Sequence, residues 1–303
     1  MAMRQHAVVA ALVAVAGGAP LCPACFNLQN APHGNRTRPA LRWLHVPKTG
    51  STFQNTVFHW ACPGLPADAG YGPGARAVNF ARLYDAKKRL NATVCDRLID
   101  ATLPGHPPAT EDALDRTVAM FRRPAQRLLS AHRDRRHADG FQDKDKAPNW
   151  RELDALGYAR HPGIAGCATR MLLGAKCAHV HTHRSDHPRV QTAFARAMKA
   201  DLPVARAKMA VRRLAFVGLQ ERWAESVCLF HAMLGGAPHK VEFAVAHTAR
   251  RRGPFDQGLP LEPMVYDEGR LGGFVDAADE AVYAEAARVF AANLRAFAPA
   301  CVT

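Results

Sequence analysis

The segment from Arg42 to Phe53 constrains the fold of this 303-residue chain more than any other, because it joins two structural periodicities in one short stretch. Its opening residues, 42–46, form a short apolar run that is typical of a buried strand. After a turn of Lys, Gly and hydroxyl residues, Phe53, Val57 and Trp60 recur at the spacing of one helical face. The segment therefore predicts a strand, a tight turn and an amphipathic helix in direct succession.

The turn of this unit carries the chemistry of an anion-binding site. Backbone N–H groups at the start of a helix, together with the helix dipole, favour a negative group there. Lys48 adds a full positive charge, and the next four residues add backbone donors and hydroxyl groups: Thr49, Gly50, Ser51 and Thr52. The nucleotide P-loop, G-x-x-x-x-G-K-[ST], instead places its Lys directly before the helix and a hydroxyl on magnesium. Here Lys48 precedes the only Gly of the turn, so the loop departs from that pattern.

A second candidate phosphate site follows another short apolar run, residues 117–121, which predicts a buried strand. Arg122 follows this run directly, and Pro124 suits the first turn of a helix. Leu128 continues the helical spacing, and Ser130 comes about two turns into the helix. Arg122 at the strand end and Ser130 on the helix can therefore reach one phosphate together.

These two segments resemble the donor-binding motifs of sulfotransferases, in particular the Golgi carbohydrate enzymes related to heparan sulfate 2-O- and 6-O-sulfotransferases. The order Pro-Lys-Thr-Gly-Ser-Thr at 47–52 resembles their 5′-phosphosulfate loop. Their 3′-phosphate motif, Arg-Asp-Pro-x-x-Arg-x-x-Ser, is matched in register at 122–130, except that Arg123 stands where the family has Asp. Two further segments are similar to family elements: 169–174 and 217–222. The second of them is interpreted as core architecture. The resemblance covers roughly residues 40–235.

The resemblance implies transfer of a sulfuryl group from 3′-phosphoadenosine 5′-phosphosulfate to a carbohydrate hydroxyl, with no metal ion. Lys48 would stabilise the charge that develops on the leaving oxygen, and residues 49–52 would bind the 5′-phosphate. Arg122 and Ser130 would hold the 3′-phosphate, for which a forked guanidinium is well suited. Arg251 lies in a basic loop where the family has a late loop near the nucleotide, and it is a further candidate donor contact.

An acceptor hydroxyl needs a general base, and histidine has a pKa near the working pH. His106 follows Gly105 in a Pro-rich turn shortly before the second strand, which resembles the placement of the base in uronyl and heparan 2-O-sulfotransferases. His106 is therefore the candidate catalytic base beside Lys48. His132 on the basic helix is a second candidate, and His45 is interpreted as a core residue.

Short apolar runs alternate with helical periodicities along the chain, which predicts an α/β fold with a mostly parallel central sheet flanked by helices. Ligands of such folds bind beyond the carboxyl ends of the strands, where both candidate phosphate segments lie. We expect a three-layer, P-loop-like version of this class. Residues 276–298 carry an apolar stripe at helical spacing and predict a long helix packed on the core. The predicted organisation is a leader at 1–20, a tether at 21–40 and one sulfotransferase domain at 41–303.

The N-terminal region and the cysteines indicate the secretory pathway. A basic start, an apolar run at 7–16 and the small residues after it are typical of a cleaved signal peptide, with a short type II membrane anchor as the alternative. Sequons at Asn35 and Asn91 agree with residence in the Golgi lumen or with secretion. Eight cysteines, an even number, favour disulfides in this context, and the first pairing expected joins Cys167 to Cys177.

The formal net charge of +14 points to an anionic partner, and the sequence contains no recognisable nucleic-acid-binding module. We therefore expect an acidic polysaccharide as the glycan acceptor, and contact with a membrane only if the N-terminal segment is an uncleaved anchor. Cys22, Cys25 and the histidines at 179–183 are interpreted as parts of loops and not as metal ligands. Two alternatives stay open: a P-loop kinase, which requires magnesium, and a non-catalytic module that binds glycans or other polyanions on the same fold.

Overall fold

Three parallel strands form the sheet at the centre of the fold, in the order β1-β2-β3. The computed structural model describes residues 41–62, 65, 106–134, 153–161, 163–177, 201–243 and 265–301. Within these residues the strands are β1 (Arg42–Leu44), β2 (Thr117–Phe121) and β3 (Phe216–Leu219). Trp43 pairs with Val118, and Ala119 pairs with Val217, so the carboxyl ends of all three strands meet at one edge of the sheet.

A helix follows each strand, and further helices pack around these units. The described α-helices are α1 (Gln54–Ala61), α2 (Pro124–Asp134), α3 (Ala155–Arg160), α4 (Cys167–Leu172), α5 (Val204–Arg213), α6 (Trp223–Leu234) and α7 (Ala277–Phe297). Short 3₁₀ helices span Ser51–Phe53, Glu111–Arg116, Gln220–Arg222, Lys240–Phe243, Glu268–Leu271 and Pro299–Cys301.

The predicted α/β class is confirmed, and most local predictions agree with the observed elements. The strand predicted at 117–121 has those bounds, and the long C-terminal helix predicted at 276–298 is α7. The strand predicted at 42–46 ends earlier, at Leu44, where the chain enters the Lys48 turn. Helix α5 was not predicted, because its sequence is mostly alanine and basic residues and it lacks a wide apolar face.

The sheet is covered on both faces, since β2 is buried at all five of its positions. Phe53, at the start of the first helical segment, stacks on Phe216 of β3 with ring centroids 5.4 Å apart. Phe53 also meets Phe230 of α6 edge to face, again at 5.4 Å. Such pairs contribute about 0.5–1.5 kcal/mol each beyond their burial. These contacts fix the first strand–turn–helix unit against the third.

A buried ion cluster anchors α2 to the C-terminal helix. Arg127 is 1% exposed, and its Nη2 lies 3.4 Å from Asp276 Oδ2 and 3.3 Å from Asp279 Oδ2. The same nitrogen donates to the carbonyl of Ile164 at 3.0 Å. Asp279 accepts the backbone N–H and the hydroxyl of Thr169 at the start of α4. Arg127 and Asp279 together connect α2, α4 and α7.

Two disulfides join described residues to each other. The pairing of Cys167 with Cys177 confirms the first expectation from the sequence, and a second bond joins Cys228 of α6 to Cys301 at the C-terminal end of the fold. Disulfides are typical of proteins that fold in the secretory pathway or act outside the cell. Among the helices of the described residues, none has the length and apolar character to cross a bilayer.

Several sequence features lie outside the described residues. They are the leader at 1–20, the tether at 21–40, the sequons at Asn35 and Asn91, the cysteines at 22 and 25, the histidines at 179–183 and the basic loop with Arg251.

Candidate functional site

The parallel sheet brings the turns after its three strands to one edge, where α/β folds bind their ligands. The turn after β1 holds Lys48, the turn after β2 holds Arg122, and the turn after β3 is the 3₁₀ helix Gln220–Arg222. Arg122 Nη1 donates to the Lys48 carbonyl at 3.4 Å, across 74 residues of sequence. The two candidate phosphate segments therefore touch each other.

The Lys48 turn has an unusual backbone. Lys48 itself adopts φ +70°, in the left-handed region that residues with a side chain rarely occupy, and Gly50 adopts φ +105°. The Thr49 hydroxyl donates to the carbonyl of Val46 at 2.7 Å, and the N–H of Phe53 donates to the carbonyl of Gly50 at 2.9 Å. Thr49, predicted as a phosphate contact, therefore uses its hydroxyl proton to close the turn, while Lys48 stays partly exposed.

Gly50 is required by its neighbour as well as by its backbone angle. A Cβ atom at this position would lie 2.9 Å from Cζ3 of Trp223, the first residue of α6. The Trp223 indole N–H donates to the backbone carbonyl of Glu242 at 2.8 Å, which holds the ring in place. The turn after β1 thus rests directly on an aromatic platform supplied by the third unit.

A buried polar stripe leaves this turn along α1. Its members recur at i, i+3, i+4 and i+7 and are all buried: Thr52, Asn55, Thr56 and His59. Several of their polar atoms have no hydrogen-bond partner within the described residues. They are the hydroxyls of Thr52 and Thr56, both the nitrogen and the oxygen of the Asn55 amide, and Nε2 of His59. Each such group costs about 1–3 kcal/mol when it stays unsatisfied. The helical spacing of these polar side chains is visible in the sequence, where the apolar residues of the same helix are the stronger signal.

Arg122 is only 7% exposed at the end of β2. Burial lowers the pKa of its guanidinium, whereas the neighbouring Tyr266 and Glu221 raise it. The guanidinium also lies 5.4 Å from the centre of the Tyr266 ring. A buried cation of this kind needs polar or anionic partners. Tyr266 is such a partner, and the sequence analysis did not predict it.

The turn after β3 supplies an acid, Glu221, to the start of α2. The Arg123 backbone N–H, at the start of α2, donates to Glu221 Oε1 at 2.7 Å. The Arg123 side chain is 53% exposed and pairs with Glu268 at 3.0 Å, away from this contact. The Tyr283 hydroxyl donates to the other oxygen of Glu221 at 3.2 Å. The interpretation of 217–222 as architecture agrees with this role.

Ser130 lies buried on α2. One turn before it, the Gln126 amide donates to the Tyr266 carbonyl at 2.9 Å and accepts from the Tyr266 N–H at 2.8 Å. These two bonds hold the chain at Tyr266 against α2. Ser130, four residues after Gln126, lies on the same face of the helix.

His106 lies over the carboxyl end of β1. Its Nδ1 is 2.8 Å from the carbonyl oxygen of His45, and the two imidazole rings stack with centroids 4.0 Å apart. A carbonyl can only accept, so Nδ1 carries the proton, and the lone pair of the neutral ring lies on Nε2. His45 is buried, as expected of a core residue. His132 instead bonds through Nε2 to the Leu153 carbonyl at 3.0 Å.

Of the predicted site residues, the structure brings Lys48, residues 49–52 and Arg122 to one edge of the sheet, with His106 beside β1. Arg251 lies outside the described residues.

Among the described residues no group of three His, Cys, Asp or Glu side chains is arranged to hold a metal ion. Comparison with family models, curated proteins and solved structures finds no match to this chain.

Proposed function

We propose that this protein is a sulfotransferase that moves a sulfuryl group from 3′-phosphoadenosine 5′-phosphosulfate to a hydroxyl of an acidic glycan, on a three-layer, P-loop-like fold. The observation that carries the proposal is the 3.4 Å contact between the Arg122 guanidinium and the carbonyl of Lys48. A donor with phosphate at both ends of one nucleotide needs two adjacent cationic segments. This contact, at the ligand-binding edge of a parallel sheet, supports such a pair.

In this mechanism the turn and the strand end hold the donor. Backbone N–H groups at Gly50–Thr52 bind the 5′-phosphate, and Arg122 with Ser130 binds the 3′-phosphate. Lys48 lies at the oxygen that bridges phosphorus and sulfur and stabilises its growing negative charge as the sulfur–oxygen bond breaks. Catalysis of this type depends on positioning and charge stabilisation, as in phosphoryl transfer.

His106 takes the proton of the acceptor. The hydroxyl oxygen forms the new bond to sulfur, and its proton passes to Nε2 of His106. The leaving group departs as 3′-phosphoadenosine 5′-phosphate. The bond from Nδ1 to the His45 carbonyl at 2.8 Å supports this role, because it holds the ring in the tautomer that a base requires.

The net charge of +14 supports an acidic polymer as the acceptor. A non-catalytic glycan-binding module is the second candidate, because the same charge supports binding of a polyanion without turnover.

Calorimetry with 3′-phosphoadenosine 5′-phosphate, followed by transfer of labelled sulfate to a glycan panel, tests the proposal. We expect wild-type protein to bind this nucleotide and Arg122→Ala to lose most of that binding. Lys48→Ala should lower the transfer rate about 10²- to 10³-fold with an unchanged circular dichroism spectrum. Arg295→Ala removes one exposed charge from α7 and is the matched control, with activity like wild type.

Three outcomes separate the candidates. Absence of nucleotide binding by wild-type protein would contradict the sulfotransferase proposal. Glycan binding that persists in Lys48→Ala, with no turnover in either protein, would favour the non-catalytic module. Tighter binding of ATP with magnesium than of the adenosine bisphosphate would favour a kinase, although Lys48 is not placed as in G-K-[ST].

A further inference from the structure

Glu285 on α7 is shared by two arginines. Arg212 of α5 donates from Nε to Glu285 Oε1 at 2.7 Å, and Arg288 donates from Nε to the same oxygen at 3.1 Å. These two guanidiniums lower the pKa of the Glu285 carboxyl from 4.5 to about 2, so the carboxylate is ionised at neutral pH. One negative charge therefore faces two positive charges.

Glu111, in the 3₁₀ helix before β2, is shared in the same way. Its carboxylate pairs with Arg213, and its backbone carbonyl accepts from Arg213 Nη2 at 3.0 Å. Arg206 Nη2 lies 3.5 Å from Glu111 Oε2. Because Arg206 and Arg213 are seven residues apart on α5, they lie on one face of this helix. Here again one carboxylate serves two guanidiniums.

These side chains form one exposed surface along α5, which we call the α5 surface. Arg212 and Arg213 are adjacent in sequence, so both groups of ion pairs meet at the C-terminal end of the helix. The arginine side chains are between 49% and 67% exposed despite their ion pairs. Five positive side chains and two carboxylates leave an excess of positive charge. The surface consists of Arg206, Lys208, Arg212, Arg213 and Arg288 with Glu111 and Glu285.

The neighbouring acids leave this excess in place. On the same 3₁₀ helix as Glu111, Asp112 lies within electrostatic reach of Arg42 and Arg116. Asp115 is the other exposed aspartate of that helix, so the two aspartates are matched in number by these two arginines. Among the described residues, Asp201, which lies before α5, makes no ion pair with the arginines of the α5 surface.

The α5 surface is separate from the candidate donor site. Arg213 precedes β3 and Glu111 precedes β2, so their ion pair lies at the amino-terminal edge of the sheet. The N–H of Ala215 donates to the Thr117 carbonyl at 2.9 Å, which joins the chain at the starts of these two strands. The Lys48 turn lies at the opposite, carboxyl-terminal edge. A ligand of the α5 surface therefore does not compete with a nucleotide at that turn.

The outer face of α5 fits a soluble polyanion better than a membrane. Within this fully described helix, Met209 is the one large apolar side chain that is exposed, and it lies between Arg206 and Arg213. A helix that inserts into a bilayer surface needs a broad exposed apolar face. The disulfides are typical of secreted proteins, and the linear polyanions found outside cells are sulfated and carboxylated glycans.

We infer that the α5 surface is a second binding site, remote from the candidate donor site, for a linear glycan that carries sulfate or carboxylate groups along its length. The shared glutamates hold the arginines, which lowers the side-chain entropy that is lost when a ligand binds. A guanidinium has five N–H donors, so one that is paired on one side keeps donors for sulfate or carboxylate oxygens on the other. The inference goes beyond the proposed function, because it requires neither the nucleotide nor turnover.

Calorimetry of the full chain with a long heparin chain, which is a linear sulfated glycan, tests the inference. Wild-type protein should bind heparin, and Arg206→Gln/Arg213→Gln should weaken this binding about three- to 20-fold at low ionic strength. The matched control is Arg160→Gln/Arg270→Gln, which removes the same charge from two exposed residues on and beside α3. This control should change the affinity by less than about twofold.

Glu111→Gln provides a change of the opposite sign. The amide oxygen of Gln can still accept from Arg213, but the negative charge is removed. Heparin should therefore bind about two- to threefold more tightly to this variant. Weaker binding would contradict the excess of positive charge as the basis of the site and overturn the inference.

Absence of heparin binding by wild-type protein, or equal losses in the two double variants, would also overturn it. Tighter binding of phosphatidylserine vesicles than of heparin, lost in Arg206→Gln/Arg213→Gln, would reject the glycan in favour of a membrane. Wild-type protein that binds heparin but not 3′-phosphoadenosine 5′-phosphate would contradict the proposed function alone. A thermal melt of each variant checks folding, which is expected because the substituted residues are exposed.

Discussion

At the scale of single residues, the most informative side chain is His106, whose proposed role as general base depends on one hydrogen bond. Its Nδ1 proton is committed to the His45 carbonyl, so the proposal assigns the acceptor proton to Nε2. The contact spans 61 residues of sequence. The sequence could predict His106 as a candidate base, but it could not show which nitrogen is held, because the partner is a backbone atom of the segment that follows β1.

His106→Asn separates the hydrogen bond that Nδ1 makes from the acceptance of a proton by Nε2. The Asn amide can still donate to the His45 carbonyl, but it cannot accept a proton at neutral pH. We expect the rate of sulfuryl transfer to fall about 10²- to 10⁴-fold, with the affinity for 3′-phosphoadenosine 5′-phosphate within about twofold of wild type. Steady-state kinetics and calorimetry measure the two quantities.

His132→Gln is the matched control for this experiment. Its amide can preserve the bond to the Leu153 carbonyl that Nε2 now makes at 3.0 Å. Transfer should continue near the wild-type rate in this variant. A large loss in His132→Gln together with an active His106→Asn would reassign the base to α2.

At the scale of elements, the local sequence pattern predicted the strand–turn–helix units, but the sequence did not predict the contacts between those units. The run at 117–121 is apolar and ends at a charged residue followed by Pro124, so its strand and helix could be predicted from neighbours alone. The tertiary contacts that hold α2 in place could not be predicted in this way. The acid at its N-terminus is Glu221, which is 98 residues away from Arg123, and its Gln126 side chain bonds to the backbone of Tyr266.

The buried ion cluster of α2 gives a prediction at this scale. Arg127→Met removes the cation between Asp276 and Asp279 and leaves two buried carboxylates facing each other. Breaking a buried pair in this way costs about 3–5 kcal/mol in the free energy of unfolding. Urea unfolding followed by tryptophan fluorescence measures this loss.

One turn earlier on the same chain, Arg123→Met provides the comparison. Arg123 pairs with Glu268 at the surface, and exposed pairs contribute about 0–1 kcal/mol. A loss for Arg127→Met as small as that for Arg123→Met would show that the cluster does not anchor α2. The motif arginine at 127 would then need a role in ligand binding instead of in packing.

At the scale of the whole molecule, two buried groups, His59 on α1 and Asp276 at the start of α7, give the free energy of unfolding opposite dependences on pH. Burial lowers the pKa of His59 from its usual 6.5 to about 4, although the charge of Glu242 opposes this, and His239 and His231 add to it. His59 stacks on His239 at 5.2 Å, and His231 bonds to Glu242 at 2.7 Å. Burial, reinforced by Asp279, raises the pKa of Asp276 from 3.8 to about 6.

The signs follow from which state binds more protons. Between pH 6.5 and about 4 the unfolded chain protonates His59 and the native protein does not, so stability falls as the pH falls. Between about pH 6 and 3.8 the native protein protonates Asp276 more readily than the unfolded chain, so stability rises as the pH falls. Over the shared range the two effects partly cancel, and wild-type protein should show a shallow profile.

Replacing either residue should reveal the effect of the other on the pH dependence of stability. From about pH 7 to about pH 5, His59→Phe should gain roughly 2 kcal/mol of unfolding free energy relative to wild type, and Asp276→Asn should lose on the order of 1 kcal/mol relative to it. Urea midpoints for the three proteins at both pH values provide the measurement, and the comparison of slopes cancels any packing defect that is independent of pH. Parallel profiles for wild type and His59→Phe would mean that His59 titrates alike in both states, and that the buried end of the α1 stripe is open to protons in the folded protein.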